Sequence, residues 1–540
     1  MRSFGFLLFL FTTSSGAWSQ APDSTFGVPS SFIGLPATTT CDFDGRADRS
    51  FATFVLGDGG LLMVGHSCGG DGCDLALARL LPDGKYDERA GPGGRSRVDL
   101  GFDNDSCLAA ALYPGGRLLV GGCTILPGRK DHVNLVARTD LYGQLDTLFG
   151  DKGVVLIDLP TAHEMVTKVL IQPDGKILVA GNAFYGGFII GGDSTAVFVG
   201  RLLPDGRIDS TFAHNGFLYQ RMEQYCRASL LGDIVLDREG KILVTGGAYQ
   251  PYPNNYGAFD GCRHNIHLFR FLSNGQPDPG FGSAGTVDIP FWNGRAHALY
   301  LEADDKILMA GVVSDLNPQP YYTFLCRLLP DGRPDLSFAK EGQFVKYIYT
   351  VTAGSEPFGI VKIGEAIILG MLDDPLGDNI AFGLVCFTKD GKLNANFGKN
   401  GVFAPLYPFA LYYLNNLTVV DDENVLLGGY YAALGPDDMY IYKIKTYQKT
   451  SSASAPSVSP LSIYPNPANG VFYLDVAGLD MEGPMQLRVG DANGRLFMAQ
   501  ALHVGRDALK IDASGLAPGL YFVTLEGEHG RFRGKIVVGR

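Results

Sequence analysis

The sequence predicts an all-β protein, and three observations support that fold class. Glycine is abundant, with 72 residues, while charged residues make up only 19% of the chain. Aromatic and β-branched residues are common and no sustained helical periodicity is found, which is typical of short strands joined by tight turns. The sequence also repeats itself with a period of about 60 residues, which predicts a series of equivalent structural units.

Residues 1–19 are predicted to form a secretory signal peptide. Arg2 supplies a positive charge, residues 4–11 are apolar, and small residues precede a cleavage site at Gln20. The apolar segment is too short to span a bilayer, and no other segment of the sequence resembles a membrane span. At 540 residues the chain exceeds one compact core, so we expect two or more domains.

A strand–turn–strand pattern marks each repeat and is clearest at residues 169–181. There an Asp-Gly pair separates two apolar runs, which predicts a hairpin with a type I′ turn. The equivalent turn positions are Gly59, Gly116, Gly175, Gly240, Asp305, Gly364 and Glu423. With four strand-like runs in each unit, these seven hairpins predict a seven-bladed β-propeller at residues 20–447.

The two ends of the propeller region are incomplete in complementary ways. The last repeat stops after residues 441–445, whereas an isolated Asp-Ser-Thr-Phe-Gly stands at residues 23–27. We therefore expect Asp23 to about Leu35 to complete the blade that ends at residues 441–444, because closure removes exposed sheet edges. A solenoid, the main alternative, would instead carry atypical capping repeats at both ends.

Phenylalanine and aspartate recur at fixed positions in a second segment of each repeat, for example at residues 201–212. The phenylalanines predicted to fill the space between neighbouring blades are Phe149, Phe212, Phe281, Phe338 and Phe397. The aspartates predicted to cap backbone N–H groups in the connector are Asp146, Asp209, Asp278 and Asp335. A calcium role for these aspartates is the alternative, although a calcium site needs several converging oxygens.

This repeat resembles the delta-60 repeat family, whose pattern contains Arg-Leu, Asp-Gly, Leu-Asp and Phe-Gly. The resemblance covers roughly residues 23–447 and is clearest at residues 201–212 and 327–338. It is weaker at residues 387–397, where the arginine is replaced and Asn394 stands for aspartate. The resemblance implies a propeller and supplies no catalytic residues.

Nine cysteines in an exported chain suggest disulfides and at least one free thiol. Most of them fall in two kinds of loop that share one face of the ring. The predicted bridges are Cys107–Cys123, Cys226–Cys262, and Cys41 with either Cys68 or Cys73. Cys326 and Cys386 are expected to be buried free thiols.

Three long insertions on that same face are candidates for ligand binding, because binding usually resides in loops on a rigid scaffold. They span residues 185–195, 249–265 and 312–322. Residues 249–256 are rich in aromatic and amide side chains, as sugar- and protein-binding loops often are. An ordinary solvated loop is the equally open interpretation.

The C-terminal part follows a stretch rich in Ser, Pro and Ala, which predicts a linker at residues 448–460. Alternating apolar strands then predict a small Ig-like β-sandwich at residues 461–540. Its motif residues are Tyr464, Pro465, Asn466, Pro467, Gly494, Arg495, Gly519, Tyr521 and Lys535. This segment resembles the type A C-terminal sorting domain of the bacterial type IX secretion system. The resemblance implies export by that machinery, removal of the domain, and either release or attachment to outer-membrane lipopolysaccharide.

No catalytic constellation is recognisable in the sequence. A Gly-x-Ser-x-Gly elbow is absent, and the nine histidines are scattered. His163 and His297 lie where they could approach the ring axis, although solvated or core histidines are the simpler interpretation. The net charge of −12 and the lack of a basic cluster argue against nucleic-acid binding. We predict no catalytic residue, no cofactor and no metal site.

Three functions remain open for a secreted or cell-surface propeller. The first is a non-catalytic binding or adhesion scaffold for a glycan or protein ligand. The second is a polysaccharide-acting lyase or hydrolase with a site on the propeller axis. The third is a structural surface protein without a small ligand. The first and third are preferred, because a fold does not by itself imply chemistry.

Overall fold

A computed structural model of the chain describes most of residues 21–539. The described ranges are 21–27, 37–113, 115–161, 163–185, 195–221, 228–249, 266–289, 294–314, 321–346, 356–373, 381–404, 411–432, 436–446, 458–464, 468–476, 484–491, 496–503, 509–527 and 530–539. Within these ranges the regular structure consists of strands and two short 3₁₀ turns, Glu88–Ala90 and Pro92–Gly94. The predicted all-β fold class is confirmed.

Seven antiparallel sheets occupy the described part of residues 21–446, and each sheet forms one blade. Blades 1 to 3 consist of Ala47–Val55, Leu61–Gly69, Gly72–Leu80 and Arg95–Val98; Ser106–Leu112, Arg117–Ile125, His132–Asp140 and Val154–Ile157; and His163–Ile171, Ile177–Phe184, Thr195–Leu202 and Phe217–Gln220. Blades 4 and 5 consist of Ala228–Leu236, Ile242–Tyr249, Ile266–Phe271 and Thr286–Ile289; and Gly294–Leu301, Ile307–Ser314, Tyr321–Leu328 and Gln343–Lys346. Blades 6 and 7 consist of Glu356–Ile363, Ala366–Asp373, Ala381–Phe387 and Val402–Phe403; and Leu411–Val419, Asn424–Ala432 and Asp438–Lys445, with Ala21–Pro22 and Thr38–Cys41.

The blades form a closed ring. The first strand of each blade contacts the first strand of the next, and that of blade 7 contacts that of blade 1, so the first strands surround one axis. Thr418 Oγ1 of blade 7 donates to Thr53 O of blade 1 at 3.1 Å, and Asn415 Nδ2 donates to Ser50 O at 2.8 Å. A solenoid would leave these two blades apart, so the ring prediction is confirmed.

Each first strand carries a β-bulge, and in six blades the residue before the bulge lies opposite a glycine of the second strand. In blade 1 the bulge separates Ser50 from Ala52, and a Cβ on the facing Gly65 would lie 1.8 Å from Arg49 O. The equivalent glycines are Gly122, Gly181, Gly246, Gly311 and Gly429. A side chain at this position would collide with the bulged backbone, which explains the repeated glycine.

The predicted hairpins are present, but their turn type differs from the prediction. In blade 3 the Gly175 N–H donates to Gln172 O at 2.9 Å, and Gly175 has a φ of 82°. A type I′ turn needs positive φ at both central residues, and Asp174 is not in that conformation. The connection is therefore a longer hairpin loop that ends in a left-handed glycine.

The turns between the first and second strands of the blades define one face of the ring, which we call the turn face. We call the opposite face the loop face.

Neighbouring blades are joined on the turn face by a contact that we call the junction triad. In blade 3, Arg201 Nε–H donates to Asp209 Oδ2 at 2.9 Å, and the guanidinium lies 4.7 Å from the centre of the Phe212 ring. Phe212 is fully buried against the next blade, where a Cβ on Gly275 would lie 2.8 Å from its ring. The other complete triads are Arg138–Asp146–Phe149, Arg270–Asp278–Phe281 and Arg327–Asp335–Phe338.

The junction triads confirm the structural roles predicted for the repeated residues. The phenylalanines lie between blades, and Asp209 Oδ1 also accepts the Thr211 N–H at 3.1 Å. Burial favours the neutral carboxyl, but hydrogen bonds from Thr211 and Lys176 and the charge of Arg201 outweigh it and lower the pKa of Asp209 to about 2. These aspartates are therefore held as anions by arginine.

The N-terminal segment rebuilds the triad in blade 7. Lys443 takes the place of the arginine, with its Nζ 3.0 Å from Asp23 Oδ2 and 5.3 Å from the centre of the Phe26 ring. Phe26 in turn packs against Gly84 of blade 1. The isolated motif at residues 23–27 therefore supplies the two side chains that the last repeat lacks.

The outer strand of blade 7 is formed by residues that flank this motif in the sequence. Thr38–Cys41 and Ala21–Pro22 both pair with the third strand, with Thr38 opposite Tyr442. Closure by the N-terminal segment is confirmed, but the expected pairing by residues 23–35 is corrected. Asp23 O accepts the Phe26 N–H at 2.8 Å, so this part forms a turn. Residues 28–36 lie outside the described ranges.

Two sheets form the C-terminal domain. One contains Val458–Pro460, Gly530–Val538, Gly519–Gly527, Pro484–Asp491 and Leu496–His503, and the other contains Ser462–Tyr464, Val471–Asp475 and Leu509–Asp512. A shared apolar core, which includes Phe472, Leu487 and Ile536, fills the space between them. The two sheets and this core form a β-sandwich, while the Ig-like classification stays a prediction. Val458–Pro460, placed in the linker by composition, pair with residues 531–533.

Candidate functional site

One disulfide is formed among the cysteines that the structure describes. Cys68 and Cys73 face each other across the hairpin between the second and third strands of blade 1, with Cα atoms 4.0 Å apart. The predicted bridge from Cys41 to either residue is wrong. Cys41 is a buried free thiol on the outer strand of blade 7, in a different sheet.

The predicted Cys107–Cys123 bridge is also wrong, because both residues are buried free thiols. Cys107 lies opposite Gly122, whereas Cys123 lies opposite Ser106. Successive positions along a strand point to opposite faces of the sheet, so the two sulfur atoms project in opposite directions. Loop assignment alone could not detect this one-residue difference in register.

The other cysteines divide into two groups. Cys326 and Cys386 are buried free thiols, as predicted, and burial raises the pKa of each to about 12. Cys226 and Cys262 lie outside the described residues, so their bridge stays a prediction. Most of the three long insertions lies outside the described residues as well, and their proposed role in binding also stays a prediction.

The two histidines expected near the axis have different partners. His163 Nδ1 lies 3.2 Å from His132 Nδ1, between blades 2 and 3. His297 lies on the first strand of blade 5, where its Nε2 is 3.9 Å from Glu356 Oε2 of blade 6. The same carboxylate accepts a hydrogen bond from Arg295 Nη2 at 2.6 Å. Arg295, His297 and Glu356 therefore form one polar group on strands that surround the axis.

His297 is held in its neutral form. Burial lowers its pKa to about 4, the positive charge of Arg295 acts in the same direction, and Glu356 opposes both. A neutral imidazole beside a carboxylate and a guanidinium is a combination that can transfer protons. It is the one described feature that favours catalysis on the axis.

An aromatic patch lies on the loop face at the junction of blades 7 and 1. Tyr413 and Tyr430 are cross-strand neighbours whose rings stack at 4.8 Å with an interplanar angle of 14°. Phe51, at the bulge of blade 1, lies 6.4 Å from the Tyr430 ring. All three side chains are partly exposed. The bulge and the cross-strand register thus place three aromatic rings together near the axis.

Arg49 gives the aromatic patch its charge. Its guanidinium lies 5.0 Å from the centre of the Tyr430 ring, and its Nε–H donates to Asp437 Oδ2 at 2.7 Å. His66 packs behind Phe51 at 5.2 Å, and burial lowers its pKa to about 4. His66 is therefore neutral at pH 7, and Arg49 supplies the cation of the patch.

Two groups of carboxylates are the described residues that could hold a metal ion. They are Asp42, Asp48 and Asp438, and Asp74, Asp99 and Asp105. Burial raises the pKa of Asp48 and of Asp105 to about 6, although the nearby hydroxyl groups of Ser67 and Thr124 act in the opposite direction. Burial, and then the charges of Asp42 and Asp437, raise the pKa of Asp438 to about 6.

The described motif residues of the C-terminal domain support its fold. Tyr521 OH donates to Ala517 O at 2.8 Å, and Tyr464 is exposed and stacks on Tyr473 at 5.8 Å. Lys535 Nζ lies 5.4 Å from the centre of the Phe522 ring, and Gly519 begins a strand. Pro465, Asn466, Pro467, Gly494 and Arg495 lie outside the described residues.

The aromatic patch and the acidic groups were missed by sequence reasoning. Tyr430 follows the repeated glycine of the second strand, where blade 1 has His66 and blade 3 has Asn182. Variation at one fixed position of an otherwise regular repeat is the signal that could have found it. Asp42 and Asp438 are too far apart in the chain for any spacing motif to connect them.

Two family models each match a part of the chain. Residues 462–539 match the family described as the secretion system C-terminal sorting domain. Residues 172–212 match the DUF5122 β-propeller, a domain of unknown function. No curated protein matches the chain. In the described residues, no helix is long and apolar enough to cross a membrane.

Several solved structures are similar in part. A protein of unknown function from Dyadobacter fermentans is 13% identical with a TM-score of 0.37, over 76% of this chain and 98% of that one. The α-L-arabinofuranosidase Arb93A from Fusarium graminearum is 7% identical with a TM-score of 0.37, over 62% and 92%. An α-L-arabinanase from Penicillium chrysogenum is 12% identical with a TM-score of 0.35, over 63% and 92%. Similarities this weak bear on neither ligand nor activity.

Proposed function

We propose that this exported β-propeller, which carries a type IX secretion sorting domain, is a non-catalytic glycan-binding protein of the cell surface or the secreted fraction. The observation that carries the proposal is the aromatic patch of Phe51, Tyr413 and Tyr430 with Arg49 beside it. It is partly exposed on the loop face of a rigid ring, which is the usual position of a binding site.

The chemistry of the aromatic patch suits a sugar. A pyranose presents an apolar C–H face and a rim of hydroxyl groups. Aromatic rings bury the apolar face, and a charged hydrogen-bonding pair such as Arg49 and Asp437 can bind the hydroxyl rim. A protein ligand would be expected to need a larger apolar surface than the described part of the patch offers.

The test is a glycan array with the full mature chain, followed by calorimetric titration of any glycan that binds. Tyr430→Ala should weaken binding at least about tenfold, because it removes the central ring of the patch. Tyr219→Ala is the matched control, since Tyr219 is 40% exposed on the outer strand of blade 3. Silence across the array, or equal effects of the two substitutions, would reject the proposal.

A second function, a polysaccharide-acting lyase or hydrolase, is favoured by the group of Arg295, His297 and Glu356. If it is correct, array glycans should be converted to products, and Glu356→Gln should abolish that conversion without loss of folding. Binding without product formation would exclude this alternative for the glycans tested.

We also propose that the signal peptide is removed before Gln20 and that the sorting domain is cleaved within residues 448–460. The mature propeller would then be released or attached to lipopolysaccharide. Intact-mass measurement of the secreted and cell-surface fractions tests this directly. A mature protein that retains residues 461–540 would contradict it.

A further inference from the structure

The two groups of three aspartates occupy equivalent positions at neighbouring blade junctions. In each group, one aspartate lies near the start of a third strand and one follows the outer strand of the same blade. The third lies at or just before the start of the first strand of the next blade, two residues before the residue at which its bulge begins. Within each group the carboxylate oxygens lie within 4.8 Å of one another.

This arrangement is specific to certain junctions and is not a general feature of the repeat. Between blades 2 and 3 the same three positions hold Val133, Asp158 and Glu164. One carboxylate is replaced by an apolar side chain there, and Asp158 pairs instead with Arg129 Nη1 at 2.6 Å. That junction provides a natural comparison within the same chain.

The innermost carboxylate of each group has one oxygen without a hydrogen bond. Asp48 and Asp105 are fully buried, and their Oδ2 atoms accept the N–H groups of Phe43 at 2.6 Å and Leu100 at 3.2 Å. Asp48 Oδ1 and Asp105 Oδ1 have no partner of standard geometry. A buried carboxylate oxygen left in this state is costly, and coordination to a cation would satisfy it.

A hydroxyl group accompanies each of these oxygens. Ser67 lies opposite Asp48 on the second strand of blade 1, and Thr124 has the same position in blade 2. Both hydroxyl oxygens are buried and also have no partner of standard geometry. The same unsatisfied oxygens therefore recur at the same two positions of both junctions.

We propose that each group binds one calcium ion. Calcium takes six to eight oxygen ligands, and a site of carboxylates and a hydroxyl without sulfur or imidazole suits a hard cation. Extracellular modules bind calcium with dissociation constants of about 10⁻⁴ to 10⁻³ M, which fits an exported protein. The proposal rests on the blade junctions and is independent of glycan binding.

The two sites differ in their surroundings. Arg97 Nε lies 3.3 Å from Asp74 Oδ2 and competes with a cation in the group of Asp74, Asp99 and Asp105. In the other group, Asp437 beside Asp438 is already paired with Arg49, and none of Asp42, Asp48 and Asp438 forms an ion pair within the described residues. The site formed by Asp42, Asp48 and Asp438 is therefore the tighter of the two.

The tighter site also lies at the closure of the ring. It joins Asp42 of the N-terminal segment, Asp438 of the last repeat and Asp48 of the first blade. A bound ion would cross-link the two ends of the propeller. It would also fix Asp438 next to Asp437, the partner of Arg49 in the aromatic patch.

The test is calorimetric titration of CaCl₂ into the EDTA-treated, dialysed full mature chain, with thermal unfolding as a second readout. Millimolar calcium should raise the unfolding midpoint by about 2–5 °C. Asp42→Asn and Asp99→Asn should each reduce the binding stoichiometry by one, and Asp42→Asn should cause the larger loss of thermal shift. Both residues are exposed at the edge of their groups, so the substitutions leave the core unchanged.

Asp158→Asn is the matched control, because it changes the equivalent residue at the blade 2–3 junction. Its calcium titration should equal that of the unmodified chain. The proposal is overturned if calcium produces neither binding heat nor a thermal shift. It is also overturned if both variants keep the full stoichiometry, or if Asp158→Asn lowers it equally.

Discussion

The turn face and the loop face of the ring are built from the same repeat, but only the turn face carries the same side-chain contact from blade to blade. On the turn face, the junction triad recurs from blade to blade with nearly constant distances, such as 2.9 Å in blade 3 and 2.8 Å in blade 5 from arginine Nε to aspartate Oδ2. On the loop face, the aromatic patch and the acidic groups occur at particular junctions. Repetition therefore marks what holds the ring together, and departure from it marks candidate sites.

The largest expected effect comes from Phe212→Ala on the turn face. Phe212 is fully buried between two blades, so its truncation leaves a cavity and should lower the free energy of unfolding by about 3–5 kcal/mol. Denaturant titration measures this. Leu148→Ala is the control, because Leu148 is 81% exposed in the equivalent connector and should change stability by less than about 0.5 kcal/mol. Similar losses in both would contradict the junction role.

Asp23→Asn tests the blade 7 triad, whose side chains come from the N-terminal segment and from the last repeat. Hydrogen bonds from Thr25 and Lys443 outweigh burial and lower the pKa of Asp23 from 3.8 to about 2. The stabilisation, about 2 kcal/mol, is therefore present above pH 3.8 and lost as the pH falls towards 2. Denaturant titration of the unmodified chain and the variant at pH 7 and pH 2 should show the difference only at pH 7.

Asp209→Asn is the comparison for Asp23→Asn, because in blade 3 all three triad residues belong to one continuous repeat. Only Asp23→Asn should accelerate hydrogen exchange in Thr38–Cys41, since Asp23 anchors that outer strand to Lys443. Equal acceleration of Thr38–Cys41 exchange in both variants would show that closure does not depend on the N-terminal motif.

His297→Gln should change the pH dependence of stability. The folded pKa of about 4 lies below the ordinary 6.5, so the unfolded chain binds the proton first. The unmodified chain should therefore lose about 3 kcal/mol relative to the variant between pH 6.5 and pH 4. Thermal unfolding of both proteins across that range measures it. Parallel pH profiles would show that His297 is protonated freely in the folded state.

The smallest stability effect is expected for Arg49→Ala on the loop face. Arg49 is 45% exposed, and exposed ion pairs contribute less than about 1 kcal/mol. Arg201→Ala on the turn face should cost about 1.5–3 kcal/mol, because it removes a hydrogen bond to the buried Asp209 carboxylate, which keeps only Lys176 and Thr211 as partners. Glycan binding should show the reverse order, with loss only in Arg49→Ala. If Arg49→Ala binds normally, the aromatic patch is not the ligand site.

Much of the fold could be predicted because it depends on local patterns. Glycine turns, alternating apolar runs and the repeated Phe212 position indicated blades and their junctions, and the isolated motif at residues 23–27 indicated closure. The disulfide predictions for Cys41 and for Cys107 with Cys123 failed for a different reason. A bridge requires two side chains on the same face at the correct register, and a one-residue difference reverses the face.

The sequence by itself determined the all-β class, the repeated unit, the complementary ends and the C-terminal sorting domain, because each has a pattern of residues close together in the chain. Only the tertiary structure decided which residues form the candidate sites. Arg49 and Tyr430 are 381 residues apart and Asp48 and Asp438 are 390 residues apart, and both pairs meet because the ring closes. Proximity created by closure leaves no spacing pattern in the sequence, which is why these groups appeared only with the fold.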